Sequence, residues 1–211
     1  MVPGLRKYTC DVSLDPNSAH RRLLLSEDHR TVTRVEEEQE YPDHNDRFTN
    51  WPQVLSCTEL RGRCYWEVDW SGRVDVALSY SKIRRSEGGL ESAFGNNDQS
   101  WSLWISDDGE YFVWHNSDTT RLHLSRHSER EGVSSGKGGV ACGKGDVSSG
   151  RVGVFLDSEA GALSFFEVSS DGELFHIWTF SSFFSEPLFT GFGLLDEGSS
   201  VTLVKETILP R

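Results

Sequence analysis

Short runs in which apolar and polar side chains alternate are the feature that most constrains this chain. Successive side chains of a β-strand point to opposite faces, so each run predicts a strand with one buried face. Helical spacing is scarce, and its best candidate is residues 16–25, where Ala19, Leu23 and Leu24 would share a face. Many short strands without intervening helices predict an all-β antiparallel sandwich, because parallel strands need long, usually helical, crossovers. The predicted strands cover residues 64–70, 74–80, 101–106, 111–114, 152–156, 163–168, 174–180 and 201–204.

Two segments depart from this pattern. Residues 35–50 are acidic and rich in turn formers, and residues 126–150 are dominated by glycine and serine towards their end. A segment with so little apolar surface cannot offset the entropy lost on ordering. We therefore expect a flexible loop at 126–150 that joins two strands of a single domain. A domain linker is the alternative, but the chain after this loop has too few strands for a second sandwich.

Charge and cysteine usage limit the compartment and the kinds of partner. Acidic residues outnumber basic ones, 33 to 21, giving a net charge of −12. A general nucleic-acid or anionic-membrane surface needs an excess of Lys and Arg. The chain has no apolar leader at its start, no Asn-x-Ser/Thr acceptor and no C-x-x-C pair, which predicts a reducing, cytoplasmic setting with free thiols. A bridge between Cys57 and Cys64 in an oxidising setting is the alternative.

The sequence contains no recognisable catalytic constellation. The Gly-Lys-Gly strings around Lys137 and Lys144 lack the Ser/Thr and the following helix of a phosphate-binding loop. There is no G-x-S-x-G and no H-E-x-x-H, and the helical spacing of His123 and His127 borders the predicted loop. We expect no enzymatic activity, no cofactor and no metal.

Four motifs in order resemble those of the PRY–SPRY domain family. They are residues 14–16 (LDP), 62–68 (GRCYWEV), 152–157 (VGVFLD) and 187–192 (PLFTGF). The resemblance spans about residues 8–205. It implies a bent antiparallel β-sandwich with a short helical PRY segment near the N-terminus. The implied boundaries are a tail at 1–7, a PRY segment at 8–60, a SPRY segment at 61–205 and a tail at 206–211.

The same resemblance implies a binding module. Related domains occur in tripartite-motif ubiquitin ligases, butyrophilins, NOD-like receptors and stonustoxin-like toxins, where strand-connecting loops grip a protein. We therefore expect a non-catalytic module that recognises an unidentified partner protein in an innate-immune or ubiquitin-pathway context. Any ligase activity would lie in other domains of a parent protein, and we expect neither nucleic-acid binding nor membrane insertion by this domain. A structural packing domain of a larger receptor or pore-forming protein is the alternative.

At two places the sequence differs from family members with known ligands, which limits the kinds of ligand that we expect. The strand 101–106 aligns with the antibody-binding strand of one ligase, but its second aromatic position is Ser106. The basic pocket residues of phosphate-binding butyrophilin domains correspond to Val76 and Phe112. Antibody binding and phosphate sensing are therefore not expected.

Trp104 is a candidate for a partner contact, because it lies on the strand face opposite Trp101 and Ile105 and Trp desolvates a large area at little entropic cost. The alternative is a covered position, since both faces of a sandwich strand can be buried. We expect core positions for Trp66, Trp70, Trp101, Phe165 and Trp178. The basic residues 82–85 are either a solvated loop or one pole of a recognition surface, with the acidic residues 36–40 as the other. Residues 188–189 are either core or an apolar lip. The predicted partner-binding residues are Tyr41, Lys82, Arg84, Arg85, Trp104, Ser106, Asp107, Asp108, Leu188 and Phe189.

Overall fold

The computed structural model describes residues 4–86, 89–123 and 148–205. These residues form β-strands and two single-turn 3₁₀ helices, Leu5–Tyr8 and Gly89–Ser92. Within the described ranges, no helix is long and apolar enough to span a bilayer. The strands are β1 (Leu23–Leu25), β2 (Thr31–Arg34), β3 (Gln53–Leu55), β4 (Arg63–Ser71), β5 (Val74–Ser79), β6 (Ser100–Ile105), β7 (Tyr111–His115), β8 (Asp118–Leu122), β9 (Ser149–Asp157), β10 (Ala162–Val168), β11 (Leu174–Ser181), β12 (Phe189–Leu194) and β13 (Ser200–Leu203).

The strands pair into two sheets. The larger has the order β1-β2-β13-β4-β9-β10-β11, and the smaller has the order β3-β12-β5-β6-β7-β8. Every strand pairing within them is antiparallel. The predicted antiparallel β-sandwich is confirmed. Each of the eight alternating runs forms a strand.

The main core lies between the two sheets. Trp66 and Phe165 enter it from the larger sheet, and Leu103 and Phe192 enter it from the smaller one. A second, smaller apolar cluster contains Phe48, Leu55, Ala77, Ile83 and Phe94. Because Ala77 alternates with the core residues Val76 and Leu78, this second cluster covers the outer face of the smaller sheet. Among the described residues this cluster covers only part of that face, and the rest carries the site described below.

The helix expected at residues 16–25 is not formed. The Asp15 carboxylate accepts a hydrogen bond from the backbone N–H of Asn17 at 2.9 Å, which closes a turn instead. Residues Leu23–Leu25 then form β1, with Leu23 fully buried and Leu24 exposed. The helical turn of this end of the chain lies earlier, at Leu5–Tyr8.

The expectation of free thiols is wrong for two of the four cysteines. Cys10 and Cys64 form a disulfide, with Cα atoms 5.4 Å apart. The cause is a backbone contact between distant segments: the Cys10 N–H donates to the Tyr65 carbonyl at 2.9 Å, which places Cys10 beside β4. The alternative bridge between Cys57 and Cys64 is not formed. Cys57 is instead an exposed free thiol whose sulfur lies 3.0 Å from the Ser13 hydroxyl oxygen.

The predicted flexible loop at 126–150 lies mostly outside the described residues. Of its last residues, Ser149 and Gly150 already belong to β9. Four of the five aromatic side chains predicted for the core are buried, and Trp178 is only partly so. Trp178 lies on the core side, opposite the buried Phe165, but it belongs to β11, which is the edge strand of the larger sheet among the described residues.

Candidate functional site

Trp104 stands on the outer face of the smaller sheet, as its alternation predicts. Its neighbours across the strands are Asp75 on β5 and Phe112 on β7. The Trp104 and Phe112 rings meet edge to face, with centroids 5.0 Å apart. The inner face of the same strand carries Trp101, which is buried and stacks on His115. Strand β6 therefore gives one tryptophan to the core and one to the surface.

A cavity of about 210 Å³ lies beside Trp104. Three partly buried tryptophans, Trp51, Trp104 and Trp114, contribute to its walls. Leu90 lies at the cavity with 63% of its surface exposed. Large exposed aromatic and aliphatic groups around a recess are the composition of a binding site rather than of an ordinary solvated surface.

One wall of this cavity is a loop, residues 89–96, which we call the wall segment. It is fixed to β3 through Gln53, whose Oε1 accepts from the Phe94 N–H at 2.8 Å and whose Nε2 donates to the Ser92 carbonyl at 2.9 Å. The Trp51 Nε1–H donates to the Gly89 carbonyl at 2.7 Å. The two hydrogen bonds of Gln53 are buried, and together with the exposed one from Trp51 they hold the wall segment in one position.

Asp75 is the one ionisable side chain among the described residues that line the cavity. Its Oδ1 accepts a hydrogen bond from the Ser102 hydroxyl at 2.7 Å. Protein atoms enclose the carboxyl group, although the residue stays partly accessible through the cavity. Burial raises the pKa of Asp75 to about 7, against the smaller, opposite effect of the Ser102 hydrogen bond. The group thus changes charge near neutral pH.

Ion pairs lie near the cavity. Arg73 pairs with Asp196 at 3.4 Å and with Asp107 at 3.9 Å, and its guanidinium carbon lies 5.9 Å from the Trp104 ring centroid. Arg84 pairs with Glu91 of the wall segment at 2.9 Å. Exposed pairs of this kind contribute little stability, so their charges remain available for a partner.

The basic cluster at 82–85 does not form one continuous positive patch. Lys82 pairs with Glu186 at 2.6 Å, on a different segment from the partner of Arg84. Arg85 lies over the Phe48 ring, 4.6 Å from its centroid, and donates to the Ser81 carbonyl. Each residue of this cluster therefore has its own local partner.

Several predicted site residues make contacts within the domain, so less of their surface is accessible to a partner. The Tyr41 hydroxyl donates to the Leu23 carbonyl at 2.8 Å, and Phe189 packs on the second cluster. Ser106 is buried and donates to Asp108 inside the β6–β7 turn, which lowers the pKa of Asp108. Leu188 is fully buried, so the core alternative holds for it and the apolar lip is wrong there.

Of the ten predicted residues, Trp104 is the one that lines the cavity. Sequence reasoning missed Asp75, Trp51, Trp114 and Leu90. Asp75 and Trp114 carried a signal, since each occupies the outward position of an alternating run. The described residues contain no cluster of metal-ligating side chains, and His127, which was noted above for its spacing from His123, lies outside them.

The chain matches the SPRY-associated domain family PRY over residues 12–60 and the SPRY domain family over residues 63–206. These two matches cover nearly the whole sandwich. The chain belongs to the PRY–SPRY family. The resemblance noted from the four sequence motifs is confirmed.

Relatives of this domain include a toxin subunit and a tripartite motif-containing protein. It is 35% identical to stonustoxin subunit alpha of Synanceia horrida over 93% of this chain and 25% of the toxin subunit. It is 33% identical to tripartite motif-containing protein 16 of Mus musculus over 94% of this chain and 32% of that protein. The chain thus spans about a quarter to a third of these relatives.

Solved structures show the same fold. The PSpry domain of TRIM65 superposes with a TM-score of 0.75 at 28% identity, covering 96% of this chain and 93% of that one. The stonustoxin structure superposes with a TM-score of 0.77 at 30% identity, covering 95% of this chain and 28% of that one.

Proposed function

We propose that this domain is a non-catalytic protein-recognition module whose binding surface is the outer face of the smaller sheet around the Trp104 cavity. The observation that carries the proposal is a partly exposed tryptophan beside a recess that the described residues leave open. Tryptophan is enriched among the residues that dominate protein interfaces, especially where it fills or borders a pocket. Membership of a family of interaction domains supports it.

The rim of this surface includes two of the predicted residues, Arg84 and Asp107. Arg84 pairs with Glu91 of the wall segment, and Asp107 pairs with Arg73 beside Trp104. Charges at an interface rim steer encounter and set specificity more than they add affinity. We propose that the partner is a protein and not a nucleic acid, in keeping with the net charge of −12.

The Cys10–Cys64 disulfide does not support the expected cytoplasmic location, because the cytosol keeps thiols reduced. The proposed setting is a protein of the innate-immune or ubiquitin pathway. The similarity to tripartite motif-containing proteins supports it. The second candidate is a structural domain that packs within its own parent chain, and the similarity to stonustoxin subunit alpha favours that role.

The test compares Trp104→Ala with Phe183→Ala in capture of partners from cell lysate. Phe183 is a matched control, because it is 88% exposed and does not line the cavity. Cooperative urea unfolding establishes that both variants are folded. We expect Trp104→Ala to weaken partner binding by about 2 kcal/mol, or about thirtyfold, and Phe183→Ala to leave it unchanged.

Two results would contradict the proposal. If both folded variants retain the same partners as the unsubstituted domain, the Trp104 surface is not the binding surface. If no protein is captured by any of the three, the packing role is favoured instead.

A further inference from the structure

The Asp75 carboxylate lacks the partners that an acidic group of this kind normally has. Its one hydrogen bond among the described residues comes from Ser102, and it forms no ion pair with them. The nearest arginine along the chain, Arg73, is directed to Asp196 and Asp107 instead. An enclosed carboxylate without a cationic partner is costly, and a cation brought to it recovers part of that cost.

The walls around Asp75 suit a positive charge. Indole rings attract cations through the negative face of the ring, and Trp is the best of the aromatic side chains for this purpose. Trp51, Trp104 and Trp114 all contribute to the cavity that contains Asp75. A carboxylate among three tryptophans combines the two groups that proteins use to bind a desolvated cation.

The size of the cavity limits what enters. Its volume of about 210 Å³ is below the roughly 300–1,000 Å³ of small-molecule pockets. A single side chain fits this scale better than a whole cofactor or nucleotide. Lys and Arg bring an apolar stem that packs on the walls together with a charged end.

We propose that the cavity receives one basic side chain, a Lys or an Arg of the partner protein, with its charge against Asp75 and its stem among the three tryptophans. This rests on the proposed function, because it assigns the chemistry of the group that enters the proposed surface. The net charge of −12 adds a general attraction for a basic segment.

The direct test uses small probes and the full chain. The probes are the N-acetyl methylamides of arginine, lysine, citrulline and norleucine, and binding is followed by NMR of the tryptophan indole N–H groups at about pH 8. Citrulline is the uncharged counterpart of arginine, and norleucine is that of lysine. We expect arginine or lysine to bind at least about tenfold more tightly than its counterpart, and Asp75→Asn to remove that preference.

The pH dependence gives a second readout. Affinity for the basic probes should rise between about pH 6 and pH 8, because Asp75 must release its proton to pair with a cation. The described lining of the cavity holds no other ionisable side chain, and the nearby charges of Arg73 and Glu91 are paired with Asp196 and Arg84. Binding that falls over the same range would show that a protonated Asp75 donates to the ligand, and would overturn the proposal.

Other outcomes also decide the matter. Equal binding of charged and uncharged probes, a preference that survives in Asp75→Asn, or no binding of any probe at millimolar concentration would overturn the cation site. Partner capture separates this from failure of the proposed function. If Trp104→Ala loses the partner while Asp75→Asn retains it fully, the proposed binding surface is supported and the cation site is refuted. If Trp104→Ala also retains the partner, the proposed binding surface itself is refuted.

Discussion

Replacing Asp75 with asparagine is expected to make the domain more stable at neutral and alkaline pH. In the folded chain, burial raises the pKa of Asp75 from 3.8 to about 7. Between these values the unfolded chain has released its proton while the folded chain still holds it, so folding becomes less favourable as pH rises. Asparagine has no charge to bury, and its side-chain oxygen can still accept the hydrogen bond from Ser102.

The size of the gain follows from the pKa difference. A shift of about three pH units, at about 1.36 kcal/mol per unit, corresponds to about 4 kcal/mol above pH 7. Solvent reaches the carboxylate through the cavity and reduces this cost, so we expect a measured gain between about 2 and about 4 kcal/mol. Below about pH 4 the carboxyl group is neutral in both states, and the two proteins should differ little.

The assay is urea unfolding followed by tryptophan fluorescence at several pH values from about 4 to about 8.5. The difference between the variant and the unsubstituted domain isolates Asp75, because other titrating groups contribute to both curves. Asp157→Asn is the control of opposite sign, since the hydrogen-bonded ion pair with Arg63 lowers the pKa of Asp157. That variant should be less stable by a nearly constant amount across this range, because the pKa of Asp157 lies below 3.8 in the folded chain and the group is mostly ionised in both states. A stability difference for Asp75→Asn that stays constant across the range would refute the reasoning.

Three further predictions concern stability and use the same unfolding assay. Cys10→Ser should cost about 4 kcal/mol, because it opens a disulfide between residues 54 positions apart, whereas Cys57→Ser should cost less than about 0.5 kcal/mol; equal losses would contradict this. Leu188→Ala should cost about 2–5 kcal/mol because its side chain is fully buried, and a neutral result would return it to the surface. Gly191→Ala should cost about 1–3 kcal/mol, since its new Cβ would lie 2.5 Å from the Phe94 ring, and an unchanged midpoint would show that the ring moves freely.

The alternating runs were sufficient to predict eight of the strands but not the others. Strand β12 escaped detection because Gly191 and Gly193 interrupt its apolar pattern. Strand β8 is an edge strand with four of five residues exposed, so it carries no buried periodicity to read. A strand that lacks a buried face, or that has glycines in place of apolar residues, gives no periodic signal in the sequence.

The site was harder to predict because it depends on strand pairing. Alternation alone indicates that Trp104 points away from the core. By the same alternation Asp75 looks like an ordinary solvent-facing polar residue, because the sequence of β5 does not show which residues face it on the neighbouring strands. Its environment is created by β6 on one side and by Gly193 of β12 on the other, more than 100 positions later. The disulfide between Cys10 and Cys64 escaped prediction for the same reason.

Two glycines on β12 allow the shape of the recess to change independently of the sheet. Gly191 and Gly193 lie on one face of the strand, where the first receives the Phe94 ring and the second leaves space beside the Asp75 carboxylate. The wall segment therefore packs into the sheet at Gly191, through Phe94, and borders the open cavity at Gly193. An exchange of Leu90 or Asn96 between relatives would change the shape of the entrance while Phe94 kept its position, whereas Gly95 is fixed because a Cβ there would lie 2.4 Å from the Cβ of Trp114. New specificities can arise by such exchanges without any strand having to be repacked.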